Sequence, residues 1–326
     1  MKKSIVPVII CFAVFISSFL PVGNPPSAEI SNRFIRVNLY LPDTENGYYR
    51  GTRFDWSGQI SDLTFDGHTY FGKWFDKYDP RIHDAIMGPV EEFGPLGYRE
   101  AGTGDDFIMI GIGGLKKPEE KSHNRFGYYE IVNPGIWKVR KKKDQVLFVH
   151  NLDHGGYSYE YTKIVRLVKG KPEMEISHIL KNKGKNPIKT HVYNHNFFVI
   201  NGQPTGPGFA VTFPYNISGE GQGFGTVALI KENSIGFSRN LNKGETVFCG
   251  ALKGYRNLHG DYDIRIENNT TGAGVRIRGD KPLSRLIFWA ASTTLCPETY
   301  IDIDIEPGKQ FRFKINYEFY SFDAEE

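Results

Sequence analysis

The length, composition and charge of the chain favour a folded globular protein and argue against a disordered or nucleic-acid-binding one. The chain has 326 residues, of which 40% are hydrophobic and 24% are charged, close to the usage of ordinary globular domains. Its 40 basic and 37 acidic residues give a formal net charge of +3, which is too small for the basic surface that binds nucleic acid. We therefore expect no nucleic-acid partner.

The N-terminal segment has the pattern of a secretory signal peptide. Lys2 and Lys3 form a short basic region, residues 5–20 are mostly apolar, and a small, Pro-rich segment follows. The apolar run is short for a membrane-spanning helix, and an uncleaved anchor is the alternative interpretation. We predict that residues 1–28 are a signal peptide and that the protein is secreted or periplasmic, with no membrane attachment after cleavage.

Alternation of apolar and polar residues dominates the rest of the chain. The stretches Tyr157–Val168 and Gln310–Phe319 both show it, and a period of two predicts half-buried strands. Turn sequences such as Glu306-Pro307-Gly308 separate the strands, and no long stretch has a helical period. We predict an all-β fold, a large antiparallel β-sandwich, formed by residues 29–326 as a single domain.

The cysteine and histidine spacing predicts no metal site. After signal cleavage only Cys249 and Cys296 remain, and the sequence leaves open whether they form a disulfide. No Cys/His cluster has the spacing of a zinc site. We therefore expect neither a metal nor a cofactor.

One predicted strand, residues 191–200, contains unusual polar residues. Asn194 and Asn196 flank His195 among aromatic residues, although strands disfavour Asn. Polar side chains in such a strand need partners or a ligand. One interpretation is a structural polar cluster around a satisfied core histidine. The other is a ligand site in which Asn194 contacts the substrate.

Further motifs lie before and after this strand. In chain order, the segments are a strand ending in an Asn-x-Gly turn (173–185), the Asn-His strand (191–202), a Trp-bearing strand (286–291), a Glu after a short loop (Glu298) and a Pro-Gly turn into the last strand (306–308). This order resembles the galactose mutarotase-like (aldose 1-epimerase) superfamily over roughly residues 155–320. The resemblance implies a β-supersandwich whose carbohydrate-binding face takes a mono- or oligosaccharide.

The same resemblance implies two catalytic residues. His195 falls on the family's catalytic acid and Glu298 on its catalytic base. Mutarotation needs a base for the proton of the anomeric hydroxyl and an acid for the ring oxygen, and a histidine and a glutamate can exchange these roles. By analogy with acid/base groups that flank a sugar, we expect the two groups roughly 5–9 Å apart. The alternative for Glu298 is a solvated loop acid.

Candidates for sugar binding in the N-terminal half are less sharply defined. Arg53 has the donors to fork onto sugar hydroxyls, and Trp56 has a ring that can stack on a sugar. The alternative is a strand-edge pair between Arg53 and Asp55 with Trp56 in the core. His154 lies in an Asn-x-x-His-Gly-Gly stretch similar to one that the family uses to hold the sugar, although a hairpin turn is the simpler interpretation.

A Pro- and Gly-rich region, residues 72–104, is predicted to form irregular loops beside the sugar site. His83, Glu92 and Arg81 are the candidate contacts in it, because ligands are usually handled by loops on a rigid scaffold.

Three functions fit these observations. The first is an exported isomerase of the aldose 1-epimerase (mutarotase) type, acting at a sugar's anomeric centre. The second is a glycan-binding module, or a polysaccharide lyase or hydrolase, on the same fold. The third is a structural β-protein without a sugar site. We expect a monomer or weak dimer.

Overall fold

Alternating apolar and polar residues form the long strands of the computed structural model, which describes residues 24–324. In the last strand, Gln310–Ser321, every second residue from Phe313 to Phe319 is buried, whereas Lys314 is exposed. The side chains of a strand point alternately to its two faces, so this pattern buries one face and leaves the other in contact with solvent. The predicted strand period is therefore confirmed here.

The predicted signal peptide, residues 1–28, lies mostly outside the described residues and stays a prediction, as does the single-domain assignment. The first strand starts at Ser27, within the last two residues of that segment. Between residues 24 and 324, no helix is long and apolar enough to cross a membrane.

Within the described residues the strands form four antiparallel sheets. The four-stranded sheet has the order β1 (Ser27–Ser31), β2 (Ile35–Tyr40), β3 (Ile60–Phe65) and β4 (His68–Thr69). The three-stranded sheet has the order β6 (Asp106–Met109), β7 (Gly113–Lys116) and β8 (Ile131–Asn133). The five-stranded sheet has the order β17 (Thr246–Cys249), β20 (Arg285–Ala291), β21 (Thr294–Ile305), β13 (Ile188–His195) and β5 (Val90–Phe93). The ten-stranded sheet has the order β15 (Ala228–Lys231), β16 (Ser234–Phe237), β14 (Phe209–Thr212), β18 (Asp263–Asn268), β19 (Ala273–Gly279), β22 (Gln310–Ser321), β12 (Glu173–Asn182), β11 (Tyr157–Leu167), β10 (Gln145–His154) and β9 (Ile136–Lys141). A short 3₁₀ helix spans His259–Asp261.

The ten-stranded and five-stranded sheets share one hydrophobic core. Val165 and Ile176 of the larger sheet and Val192 and Phe288 of the smaller one belong to the same buried cluster. Replacing a buried Phe such as Phe288 by Ala is expected to cost about 3–5 kcal/mol of stability. The predicted antiparallel β-sandwich is confirmed.

The second face of the five-stranded sheet, opposite the shared core, holds the candidate site. Because side chains alternate along a strand, the neighbours of core residues Val192 and Phe288 point away from the core. Those neighbours include Tyr193 on β13 and Trp289 on β20. Loops cover this outer face and form a second buried cluster that includes Phe54.

Candidate functional site

His195 and Glu298 lie side by side on the outer face of the five-stranded sheet. Strands β13 and β21 are antiparallel, with Asn194 opposite Thr299, so the next position brings His195 opposite Glu298. The His195 Nε2 atom lies 3.5 Å from Glu298 Oε1, and both residues are buried. The predicted separation of 5–9 Å between the two groups is wrong, because paired strands place these side chains directly next to each other.

The interpretation of Glu298 as a solvated loop acid is also wrong, because the residue lies within β21 and is 5% exposed. Burial raises the pKa of Glu298 to about 7. Burial, followed by the nearby Arg53 and Arg125 charges, lowers the pKa of His195 well below its ordinary value. At neutral pH the pair therefore consists of a neutral imidazole and a carboxyl group that is close to half protonated.

The two side chains line a cavity of about 470 Å³, a size typical of small-molecule sites. Its walls are rich in aromatic rings and cations. The lining residues are Arg53, Trp74, His83, Asp84, Arg125, Phe126, His195, Phe197, Gln222, Thr246, Phe248, Arg285, Ile287, Trp289 and Glu298.

Aromatic rings hold the imidazole of His195 in place. Phe197 stacks on His195 with ring centroids 3.6 Å apart, and Trp74 stacks on Phe197 at 5.1 Å. Trp289 meets His195 edge-on at 5.5 Å. Phe197 has a φ of +46°, a conformation that bulky residues rarely adopt. This turn brings the Phe197 ring back over the histidine.

A cluster of charges, in which Arg53 and Glu92 are buried and Arg125 is partly exposed, forms a second wall of the cavity. Arg53 donates from Nε to Glu92 Oε2 over 2.7 Å and from Nη2 to the Tyr193 hydroxyl over 3.0 Å. Arg125 Nη2 lies 2.6 Å from the other Glu92 oxygen, Oε1. One carboxylate thus serves two guanidinium groups, so this cluster keeps a net positive charge. The predicted alternative, an Arg53–Asp55 pair, is wrong.

A second polar network lies between the two large sheets, directly behind the site. Lys163 on β11 forms ion pairs with Glu91 Oε2, over 2.5 Å, and with Asp55 Oδ2, over 3.6 Å. Asn194 donates to Glu91 Oε1 over 3.1 Å, and His178 Nε2 lies 3.3 Å from the same oxygen. Because Glu91 and Asn194 directly precede Glu92 and His195, the network fixes the strands that carry the site.

This network decides the role of Asn194, whose side chain points into the core and not into the cavity. Its Oδ1 accepts a hydrogen bond from Tyr317 over 2.6 Å. Asn194, predicted to contact the substrate, therefore does not line the cavity, because alternate residues of a strand face opposite sides.

Two further candidates lie outside the cavity. Trp56 is buried and donates from Nε1 to the Gly51 carbonyl over 2.8 Å, so its ring, predicted to stack on a sugar, lies in the core, as the alternative interpretation has it. His154 is the last residue of β10, lies before a turn formed by Gly155 and Gly156, and contacts Asp106 Oδ2 at 2.9 Å. The hairpin interpretation therefore holds for His154.

The loop region 72–104 contributes to the site as predicted, but only one of its three candidate contacts, His83, lines the cavity. His83 lines the cavity, and its Nε2 atom lies 3.4 Å from Asp84 Oδ2. Glu92 lies behind the arginines, and Arg81 does not line the cavity. Trp74 contributes an aromatic wall that the sequence analysis did not identify.

The sequence analysis also missed Arg125, Phe126 and Arg285. Arg125 and Phe126 come from an irregular segment without periodicity. Arg285 is the first residue of β20, in which only Trp289 matched the family motif. Trp289, the tryptophan of the Trp-bearing strand in the family resemblance, lies on the cavity wall.

Cys296 lies beside the pair. The donor atoms of His195, Cys296 and Glu298 are within 4.8 Å of one another, a spacing compatible with a metal ion. However, burial raises the pKa of the Cys296 thiol well above its ordinary value, and Cys296 Sγ accepts a hydrogen bond from the Asn196 N–H over 2.9 Å. Cys249 and Cys296 are both free and buried.

Comparison with known proteins identifies the fold. No protein-family model matches the sequence, and no curated protein matches it at a significant level. Solved structures do match. A galactose mutarotase-like protein from Clostridium acetobutylicum is 13% identical, with a TM-score of 0.56 over 90% of this chain and 95% of that one. The GalM/aldose epimerase homologue from C. elegans is 13% identical, with a TM-score of 0.53 over 91% and 99%.

A galactose mutarotase-like protein from Lactobacillus casei is 11% identical, with a TM-score of 0.51 over 90% of this chain and 100% of that one. These matches span almost the whole chain, so the chain has the galactose mutarotase-like β-sandwich fold that the sequence resemblance predicted. At such low identity, the likeness concerns the fold alone.

Proposed function

We propose that the protein is a carbohydrate-active isomerase of the aldose 1-epimerase type, which interconverts the anomers of a sugar. The observation that carries this proposal is the 3.5 Å contact between His195 and Glu298 on the wall of a sugar-sized cavity. Aromatic rings such as Trp74 and Trp289 suit the C–H faces of a pyranose. The fold of the structural neighbours supports the proposal without establishing the reaction.

The short distance suits mutarotation. The anomeric hydroxyl oxygen and the ring oxygen are bonded to the same carbon, so an acid and a base that address them must lie close together. Groups on opposite faces of the ring, as in glycoside hydrolysis, need a wider separation.

The proton balance assigns the roles in the free protein. Neutral His195 accepts the proton of the anomeric hydroxyl while the Glu298 carboxyl donates its proton to the ring oxygen. The bond from C1 to the ring oxygen breaks as the C1 carbonyl forms. After rotation about the C1–C2 bond, both transfers reverse and the ring closes on the other face. The first base is thus His195, the reverse of the roles implied by the resemblance, because the pKa of His195 is lowered and that of Glu298 is raised.

The intermediate state is an ion pair of imidazolium and carboxylate at contact distance, which stabilises the charges that the first transfer creates. Arg53 and Arg125 supply donors for sugar hydroxyl groups along the adjacent wall. We propose no metal or cofactor for this chemistry.

The experiment is NMR exchange spectroscopy between α and β anomers over a panel of free sugars. The proposal expects an exchange rate above the buffer rate for at least one sugar and a loss of that gain in His195→Ala and Glu298→Gln. Exchange at the buffer rate for every sugar would contradict it.

A second candidate is a polysaccharide lyase, a hydrolase or a glycan-binding protein on the same fold. It is favoured by a wide cleft of about 1150 Å³ next to the catalytic cavity, which is larger than one sugar requires. Release of reducing or unsaturated ends from polysaccharides would support this candidate, and their absence together with anomer exchange would exclude it.

We also propose that the protein is exported to the periplasm or secreted, on the basis of the basic and apolar residues at its N-terminus. Mass spectrometry of the native protein tests this. A mature N-terminus between residues 23 and 28 is expected, whereas an intact Met1 would contradict export.

A further inference from the structure

We propose that the protein acts on an acidic oligosaccharide, whose chain leaves the catalytic cavity and runs through a cationic cleft beside it. The inference rests on the proposed function, because the sugar in the cavity sets the chemistry of the chain that continues from it. The observations that carry it are the connection between the cavities, their charge and their size.

Arg125 connects the cavities. It lines the catalytic cavity, the large cleft and a third, smaller cavity of about 430 Å³. His191 lines both the small cavity and the cleft, and Arg285 lines both the small cavity and the catalytic one. Arg125 therefore borders both the catalytic cavity and the cleft, which places the two next to each other.

The cleft concentrates positive charge. Its cationic lining residues are Arg99, Lys117, Lys121, Arg125 and Lys189, and its carboxylates are Glu92 and Glu100. Their formal sum, +3, equals that of the whole chain. Two histidines in the lining, His123 and His191, have a pKa lowered by burial and add no charge at neutral pH. A concave wall of one sign attracts a ligand of the other.

Most of these cations have no carboxylate partner. Among the residues that the structure describes, Arg99, Lys117 and Lys121 form no ion pair; Lys117 donates instead to the carbonyls of Tyr98 and Ala101. Lys189 pairs with Asp304 over 3.4 Å at the exposed rim, and such a pair contributes little. The cleft thus offers charges that an anionic ligand can satisfy.

The occupant is a glycan and not another polyanion, because the cleft borders, at Arg125, the cavity that the first sugar fills. The volume of about 1150 Å³ exceeds what one small ligand commonly needs, so a chain of several units fits. Tyr157 adds a half-buried aromatic ring to the wall, which suits the apolar face of a sugar. Carboxylated and sulfated glycans share the anionic chemistry that the cations recognise.

The test is calorimetric binding of a tetragalacturonate, a sulfated tetrasaccharide and neutral maltotetraose. We expect the protein to bind one of the acidic tetrasaccharides at least tenfold more tightly than the neutral one, with affinity that falls as salt rises. The first two ligands distinguish carboxylate from sulfate. Equal binding of neutral and acidic ligands, or no binding, would overturn the inference, as would equal binding of polyglutamate or single-stranded DNA.

The test variant replaces two exposed basic residues of the cleft, Arg99→Glu with Lys121→Glu. Reversing both charges is expected to weaken acidic-glycan binding by about tenfold or more. The matched control is Arg140→Glu with Lys142→Glu, which makes the same change of charge at exposed positions outside the cavities. Equal weakening by both pairs would show a general charge effect and overturn the inference.

The outcome is separable from that of the proposed function. Glu298→Gln is expected to bind the acidic tetrasaccharide while losing anomer exchange. Binding without any exchange in the wild type contradicts the proposed function alone. Exchange of free sugars without acidic-glycan binding contradicts the present inference alone.

Discussion

Replacing Glu298 by Gln is expected to change how the stability of the protein depends on pH. Burial raises the pKa of this carboxyl from 4.5 to about 7. At about 1.4 kcal/mol per pKa unit, the difference corresponds to about 3 kcal/mol. Since the pKa in the folded state is the higher one, this stability is fully present below pH 4.5 and is lost as pH rises to 7 and above. The amide of Gln mimics the protonated carboxyl at every pH, so the variant lacks this loss.

The assay is the free energy of unfolding in urea at pH 5 and pH 8, for wild type and Glu298→Gln. Relative to the variant, the wild type is expected to lose most of the roughly 3 kcal/mol of unfolding free energy between pH 5 and pH 8. His195 is present in both proteins, so the comparison reports the Glu298 carboxyl group together with its contact to His195. A difference between wild type and variant that is the same at pH 5 and pH 8 would refute a raised pKa for Glu298.

Three further outcomes are expected. Anomer exchange should slow as pH rises through about 7, because protonated Glu298, the acid for neutral His195, is then lost; a rate that climbs from pH 6 to 9 would contradict this. Trp289→Ala should weaken sugar binding about fivefold to tenfold in calorimetry, because one aromatic contact is lost, and unchanged affinity would place the sugar elsewhere. Lys163→Met should lower the free energy of urea unfolding by about 3–5 kcal/mol, since it leaves buried carboxylates unpaired; exposed Lys143→Met should change it by less than about 0.5 kcal/mol, and equal effects would contradict the assigned burial.

The strands were predictable from the sequence because burial of one face imposes a period of two. Gln310–Ser321 shows this, and its alternation alone identifies the buried face. The Asn-His strand was also a useful signal, because polar residues in an aromatic strand need a reason. The two faces of this strand explain its polar residues: Asn194 joins the buried network on one face, and His195 lines the cavity on the other.

The loop contributions were not predictable. Arg125 and Trp74 reach the cavity from segments without periodicity, so no pattern indicates where their side chains point. Trp56 was predicted to stack on the sugar, yet Trp56 packs in the core and Trp74 lines the cavity. The distance between His195 and Glu298 depends on which strands are neighbours, and strand order is a property of the topology that composition and spacing do not contain.

The measurement that tests the central claim most directly is the anomer exchange rate of His195→Ala, Glu298→Gln and the double variant, on the sugar that the wild type converts fastest. If the two side chains carry out their two proton transfers as a unit, each single variant loses about 100-fold or more, and the double variant loses no more than the worse single one. Losses that multiply in the double variant, or single variants that keep the wild-type rate, would contradict the account.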